Sequence, residues 1–166
     1  SPLLKFKFFK ISNCSLKIKK GSIDAIKNFG TQFSSSRAYV SISLYEEYEA
    51  LLSKIFDANV IVTPTTTLGH IASIPNLVDD NDAVILDHQV HASVQSAVNL
   101  LKPRRIHVEL IRHNNMKKLE ERIVYLLSKH NQVWYMADGI YSMYGDDLPA
   151  GALEKLLNKH KNFRLY

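Results

Sequence analysis

The chain has 166 residues, of which 46% are hydrophobic and 22% charged, so it suits one domain with a packed core and disorder is disfavoured. Its single cysteine, Cys14, excludes an internal disulfide framework and a CxxC zinc site, and predicts a reducing, cytoplasmic setting. No apolar run approaches the ~20 residues of a membrane span, and the first ten residues lack a signal-peptide pattern, so we expect no membrane association.

The formal net charge of +5 is concentrated at one end of the sequence. Residues 1–30 carry seven lysines and one acid, so the remainder sums to −1. No nucleic-acid-binding motif appears, and a basic groove across a domain would need a wider distribution. We therefore expect no nucleic-acid partner. A non-enzymatic binding module that uses the lysine-rich segment is an alternative.

Residues 1–43 are the less regular part of the sequence, with a short helix expected over 22–29 that ends at Gly30. We interpret them as an N-terminal arm and lead-in helix. From residue 44 to 166, apolar spacings typical of helices and of strands alternate. The predicted strands are 60–62, 83–86, 106–111, 133–136 and 163–166. The predicted helices are 44–55, 66–77, 91–101, one that begins at a cap formed by Asn114 or Asn115, and one around 153–157. Pro75 is expected to end or kink the second of them.

Strands separated by helices of roughly 10–15 residues predict βαβ units, and hence a three-layer α/β/α domain with a mainly parallel sheet. In such a sheet, ligands bind beyond the carboxyl ends of the strands. These ends are polar, and they are Thr63–Thr67, Asp87–Ser93, Arg112–Asn115 and Asp138–Ser142. The candidate site is therefore expected where these four loops converge.

Four motifs follow one another along the chain. Asp87–Ser93 reads D-H-Q-V-H-A-S, and Ala137–Asp146 reads A-D-G-I-Y-S-M-Y-G-D. Between them lies R-H-N-N at Arg112–Asn115, followed by Leu119–Glu120, and Ser36–Arg37 precedes them all. In this order and spacing they resemble the motifs of the α-oxoamine synthases. That group of fold-type I, pyridoxal-phosphate (PLP) enzymes includes serine palmitoyltransferase, 5-aminolevulinate synthase and 8-amino-7-oxononanoate synthase.

The resemblance covers about residues 12–166 and implies a partial large domain of the aspartate aminotransferase-like fold, with PLP as cofactor. It implies that His91 stacks on the pyridine ring, that Ser142 sits near the phenolic oxygen and that Asp138 positions their loop. A helix cap at His91 and a polar turn at the other two are the simpler alternatives. Thr65, Thr66 and Thr67 stand in place of the family's phosphate-binding turn. Their hydroxyls and a helix N-terminus suit a phosphate, although such a run is also an ordinary cap.

The implied activity is the decarboxylative condensation of a small amino acid with an acyl-CoA-type substrate, carried out by a homodimer. Thr31–Ser35 replaces the family's glycine-rich loop, and Phe33 would reshape the space near the substrate. The family's ring-nitrogen aspartate and Schiff-base lysine have no counterpart up to Tyr166. We therefore expect the chain to be an inactive part of a longer enzyme. In the family's strand order, 3-2-4-5-6-7-1, its strands would pair as 3-2-4-5 and the strand at 60–62 would lack both neighbours.

A metal site is the rival interpretation from another enzyme class. His88 and His91 are three residues apart, Asp87 adjoins them, and His70 and Asp138 are expected near the same edge of the sheet. Imidazole and carboxylate suit zinc or iron. Because no spacing fixes a third ligand, we predict that the site holds no metal.

Overall fold

A computed structural model describes residues 15–31, Tyr39 and residues 41–166. The Ser36–Arg37 motif and Phe33 lie outside the described residues, as do the lysines at positions 5, 7 and 10. By its internal contacts, the chain forms two units, residues 1–61 and 62–166. The arm-and-domain division at residues 43 and 44 stays a prediction.

The described part of the first unit is helical. Helix α1 spans Leu16–Phe29 and begins six residues earlier than expected, because the Ser15 hydroxyl caps it by accepting from the Lys17 amide at 3.2 Å. Gly30 ends this helix with a φ of 78°. Helix α2 spans Ser43–Phe56.

The strand predicted at 60–62 is wrong. These residues adopt no regular secondary structure, and the side chain of Ile61 is 80% exposed. A parallel strand exists only when a neighbour supplies hydrogen bonds along its length. The described residues place no strand beside this segment, so its apolar composition alone does not produce one.

The second unit is built around a four-stranded parallel sheet. Its strands are β1 Ala83–Asp87, β2 His107–Ile111, β3 Val133–Met136 and β6 Phe163–Leu165. Their spatial order is β2-β1-β3-β6. This order confirms the α/β class. It also confirms the predicted pairing, in which the strand at 83–86 lies between the strands at 106–111 and 133–136. The loop after β3 folds into a small antiparallel ribbon that the sequence did not predict, with β4 Ile140–Tyr141 paired to β5 Asp146–Asp147.

Four α-helices flank the sheet within the described part of this unit. They are α3 Thr66–Leu77, α4 Ala92–Val98, α5 Met116–Leu127 and α6 Ala150–Lys159. Pro75 lies inside α3 and does not end it. The proline lacks only its own amide donor, and the helix continues beyond it, since the Val78 amide still bonds to the Ile74 carbonyl. The helix predicted over 91–101 changes at Asn99 into a 3₁₀ turn, Asn99–Arg104, that contains Pro103.

The hydrophobic core lies on both faces of the sheet. Strand β1 is buried along its whole length, and its alternate side chains enter two clusters. Val84 and Leu86 pack with α3 and α4, whereas Ile85 packs with α5 and α6. The central strand is therefore sandwiched between helical layers, and its polar carboxyl end emerges at one edge. No helix in the described residues is both long and apolar enough to cross a bilayer.

Replacing Ile123 by alanine tests this packing. The side chain is fully buried against the sheet on α5, so its truncation should lower the free energy of unfolding by about 2–5 kcal/mol in urea denaturation. Val124→Ala is the matched control, because its neighbouring side chain is 56% exposed and its loss should change stability by less than about 0.5 kcal/mol. Equal effects of the two substitutions would contradict the layer arrangement.

Candidate functional site

The polar loops expected to converge do so at one edge of the sheet. Strands β1, β2 and β3 are parallel, and they end at Asp87, Ile111 and Met136, which lie within one residue of one another in the register. The loops that follow carry the residues singled out from the sequence. Parallel pairing therefore brings together groups that are about 50 residues apart in the chain, as His91 and Asp138 show.

Two neighbouring cavities open at this edge. The first, about 480 Å³ in volume, is lined by the N-terminus of α3 and the loops after β1 and β3, including Thr66, Thr67, His70, His91, Asp138 and Ser142. The second, about 470 Å³, shares the last three of these residues. It extends toward Gln95, Met143 and Tyr144. Both volumes lie within the ~300–1,000 Å³ typical of cofactor and ligand sites.

His91 links the loops after β1 and β3. Its backbone N–H donates to Asp138 Oδ2 at 3.0 Å, so Asp138 fixes the position of the histidine backbone. The side chain caps α4, because Nδ1 accepts from the Ser93 amide at 3.2 Å and lies 2.7 Å from the Ser93 hydroxyl. When the imidazole is neutral, a proton acceptor at Nδ1 leaves the proton on Nε2. His91 therefore has both the capping role and a place in the cavity wall.

The three threonines do not have equivalent positions. Thr65 is the N-cap of α3, where its hydroxyl accepts from the Leu68 amide at 3.1 Å, and it does not line the cavity. Thr66 and Thr67 form the first turn of the helix and do line it. First-turn amides have no acceptor within their own helix, so this end of α3 offers N–H donors as well as two hydroxyls.

His70 and Tyr166 form a pair on the same cavity wall. The Tyr166 hydroxyl lies 2.7 Å from His70 Nδ1, and the two rings meet edge to face with centroids 5.6 Å apart. Burial lowers the pKa of His70, partly opposed by Asp138 and reinforced by His91. His70 is therefore mostly neutral at pH 7.

The carboxylate of Asp87 is the buried centre of this edge. It is fully buried and accepts four hydrogen bonds. Two come from backbone amides, Gln89 at 2.8 Å and Asn114 at 3.0 Å. The other two come from side chains, His113 Nδ1 at 2.7 Å and the Tyr135 hydroxyl at 2.8 Å. One carboxylate thus joins the loops after β1 and β2 to β3.

His113 continues this network outward. Its Nε2 lies 2.6 Å from Asp146 Oδ2 on the ribbon, and its ring meets Tyr141 edge to face at 4.3 Å. Burial alone would lower the pKa of His113, but the bonds to Asp87 and Asp146 outweigh it and raise this pKa. For Asp87 the two effects have the opposite directions. Burial alone would raise the pKa of its carboxyl, but the four hydrogen bonds outweigh burial and lower this pKa.

The two tyrosines of this cluster stay protonated. Burial, and then the charge of Asp87, raise the pKa of both Tyr135 and Tyr141. Tyr135 is therefore a donor to Asp87 over the whole physiological range, and the raised pKa of His113 favours its imidazolium form.

The sequence identified some of these groups and missed others. Thr66, Thr67, His91, Asp138 and Ser142 come together as expected. The roles of Tyr135, Tyr141, His113 and Tyr166 were not predicted. Asp87 directly follows one predicted strand and His113 lies two residues beyond the end of the next, and these positions were the signal that could have paired them.

The described residues contain no group of three or more His, Cys, Asp or Glu side chains close enough to hold a metal ion. Of the residues considered for a metal, Asp87 is instead bonded to protein donors, and His70 and His91 each direct Nδ1 to a neighbouring side chain. The metal interpretation therefore has no ligand set in this part of the chain.

Residues 12–166 match the family of class I and II aminotransferases. The chain belongs to this family. It is similar to 8-amino-7-oxononanoate synthase of Fervidobacterium nodosum, with 29% identity over 87% of the chain and 37% of that protein. It is 28% identical to serine palmitoyltransferase of Bacteriovorax stolpii over 86% of the chain and 34% of that protein. The chain thus spans only about a third of the length of these relatives, and they confirm the resemblance to the α-oxoamine synthase group.

Solved structures show the same fold. Serine palmitoyltransferase of Sphingomonas wittichii matches 92% of the chain and 37% of its own length, with a TM-score of 0.82 and 23% identity. The enzyme of S. paucimobilis with bound PLP–myriocin aldimine matches with a TM-score of 0.81 over 92% of the chain and 39% of its own length. The partial PLP-dependent transferase fold expected from the sequence is confirmed.

Replacing Tyr135 by phenylalanine tests the buried network. The variant loses a hydroxyl donor to a carboxylate, so its free energy of unfolding should fall by about 1.5–3 kcal/mol. Because the pKa of Asp87 is lowered, this stabilisation is present above the unfolded value of about 3.9 and is lost as pH falls. The difference between variant and parent in urea denaturation should therefore shrink below about pH 4. Tyr125→Phe, at an exposed hydroxyl, is the control and should change little. A neutral effect of Tyr135→Phe would contradict the role of this bond.

Proposed function

We propose that the chain forms part of the PLP-binding large domain of a transferase of the α-oxoamine synthase type. The whole enzyme would condense a small amino acid with an acyl-CoA-type substrate and release CO₂. The observation that carries this proposal is the single cavity that His91, Asp138, Ser142, Thr66 and Thr67 line together. The cytoplasmic location and the homodimer belong to the same proposal.

The residues at this cavity fit the chemistry of PLP. The cofactor has an anionic phosphate, a flat ring and a phenolic oxygen. The first turn of α3 offers amides and two hydroxyls to the phosphate. The exposed imidazole of His91 offers a flat face for the ring, and the Ser142 hydroxyl in the same lining is a hydrogen-bond donor. Thr65 is engaged as the helix cap, so we assign the phosphate contacts to Thr66 and Thr67.

When bound, PLP supplies an electron sink for bonds at the amino acid's α-carbon. His91 covers the ring and presents Nε2–H as a hydrogen-bond donor, because Nδ1 is occupied by Ser93. Asp138 holds the His91 backbone through the 3.0 Å bond. This bond keeps the loops after β1 and β3 at a fixed separation, which the cavity requires.

The second cavity is a candidate for part of the acyl substrate site. It shares His91 with the first and extends along Met143 and Tyr144, whose side chains are 87% and 71% exposed. Their apolar surfaces suit an acyl chain better than they suit solvent.

The lysine-rich segment gives a different candidate, a binding module without catalysis. The four described lysines among its seven lie on α1 and are exposed. Exposed lysines on one helix are also an ordinary solvated surface, so this candidate rests on charge alone. Filter binding of nucleic acid over a salt titration distinguishes the two, because counterion release makes true binding steeply salt-dependent.

Substituting His91 by asparagine tests the function with the fold preserved. Asparagine is a preferred N-cap, so α4 should remain capped and thermal unfolding should be close to that of the parent. Loss of the imidazole should lower the turnover of the whole enzyme by about 10²–10⁴-fold, the usual contribution of such a group. His91→Ala is the comparison, and it should add a cost of about 1 kcal/mol in stability from the lost cap. Near-normal turnover in the asparagine variant would contradict the role of His91.

A spectroscopic titration tests the cofactor itself. The whole protein should bind PLP and develop the visible absorbance of the lysine-linked cofactor. Thr67→Val should weaken this binding, because it removes a hydroxyl and retains the shape of the side chain. Thr63→Val is the control, since Thr63 precedes the helix and donates to the Thr65 carbonyl outside the cavity. Absence of any PLP-dependent absorbance in the whole protein would contradict the proposed function.

A further inference from the structure

The loop after β3 carries two of the proposed cofactor contacts, Asp138 and Ser142, and it is tied to the sheet at its two ends. The first tie is the bond between Asp138 and the His91 amide. The second is the contact of Asp146 with His113 at 2.6 Å, beside a weaker bond from the Asn114 side chain to the Asp147 carbonyl at 3.2 Å. The second tie involves no residue assigned to the cofactor.

The ribbon transmits the second tie to the site. Asp146 pairs with Tyr141 across the ribbon, and Gly145 donates to the Tyr141 carbonyl at 2.7 Å. Leu148 donates to the Gly139 carbonyl at 3.1 Å. Ser142 directly follows Tyr141, and Asp138 directly precedes Gly139. Holding Asp146 therefore holds both ends of the segment that forms one cavity wall.

His113 is built into the sheet edge on its other side. Its Nδ1 bonds to Asp87, which is fully buried and anchored by three further donors. A histidine that bonds to a carboxylate at each ring nitrogen donates from both, and only the imidazolium has two N–H groups. The geometry thus requires the charged form of His113 when both bonds are made.

We propose that His113 is a positioning residue, which as an imidazolium clamped between Asp87 and Asp146 holds the β4–β5 ribbon, and with it Asp138 and Ser142, in the arrangement that binds the cofactor. The link to the cofactor rests on the function proposed above. The tie between sheet and ribbon does not depend on it.

The groups around His113 make it the part of the cluster that responds to pH. Asp87 and Asp146 face its two nitrogens, and Tyr141 packs on its ring from β4. Tyr135 reaches it only through Asp87, and Arg112 is its neighbour in the chain. The pKa of His113 is raised in the folded protein. Its contribution is therefore complete below the unfolded value of about 6.5 and is lost as pH rises through the folded value.

The test compares two aspartates on the same ribbon. Asp146→Ala removes the carboxylate that faces His113, and Asp147→Ala removes an exposed neighbouring carboxylate with the same change in charge. His113→Gln removes the imidazolium itself. His107→Gln is its control, since His107 also bonds to a carboxylate but lies exposed at the opposite end of β2.

The first readout is amide hydrogen exchange in the whole protein without added PLP. For Asp146→Ala and His113→Gln, the amides of Gly145 and Leu148 should exchange about 10–100-fold faster, as expected when a charge-assisted hydrogen bond is lost. Amides of β1 should keep their protection, which shows that the sheet remains folded. In the parent, this protection, corrected for intrinsic rates, should fall toward that of Asp146→Ala as pH rises above the unfolded histidine value of about 6.5. The two controls should behave like the parent.

The second readout is the affinity for PLP from an absorbance titration. Asp146→Ala should weaken it by about three- to tenfold relative to Asp147→Ala, because a loosened ribbon lowers the fraction of the binding-competent form. Comparing variants at one pH cancels the titration of PLP itself.

Unchanged exchange in both Asp146→Ala and His113→Gln would overturn the proposal. Faster exchange with unchanged PLP affinity would also overturn it, because the ribbon would then be tied without positioning the cofactor residues. If the parent binds no PLP, the function proposed above fails, and the exchange readout still decides whether His113 holds the ribbon.

Discussion

The buried carboxylate of Asp87 is the interaction on which the carboxyl edge of the sheet depends. A charge with no solvent contact is costly unless it is fully hydrogen-bonded, and here four donors from three separate loops and strands meet it. Each donor is thereby fixed relative to the end of β1. Two of the loops that line the cavity we assign to the cofactor begin near these points, so the position of that part of its wall depends on satisfying one carboxylate.

In the proposed site, the side chains that line the cavity are distinct from the side chains that hold its loops in place. Thr66, Thr67, His91 and Ser142 line the cavity, whereas Asp87, His113 and Asp146 lie behind it and form charged contacts with one another. Asp138 belongs to both sets, because it lines the cavity and bonds the His91 backbone. A rigid support of this kind is what a precisely oriented cofactor requires, since misplacement by about 1 Å costs much of the benefit of binding.

The sequence predicted the sheet well because the buried strands are apolar runs bounded by helices, and their order followed from the family resemblance. It failed at 60–62, since an apolar run looks the same whether or not a neighbour is present to pair with it. It also missed the ribbon, whose strands of two residues carry no periodicity. The partners of the Asp87–His113–Asp146 chain are 26 and 33 residues apart, and only the folded sheet brings them together. The candidate site residues were predictable because they lie in the motifs that carry the family resemblance, whereas the network that supports them was not.

A crystal structure of the whole protein grown with PLP is the most direct test of the central claim. We expect the phosphate at the first turn of α3, within hydrogen-bonding distance of Thr66 and Thr67, and the ring against the imidazole of His91, with the bond between Asp138 and the His91 amide intact. PLP bound at another place in the fold, or a cavity edge in which Asp87 and His113 have separated, would contradict it.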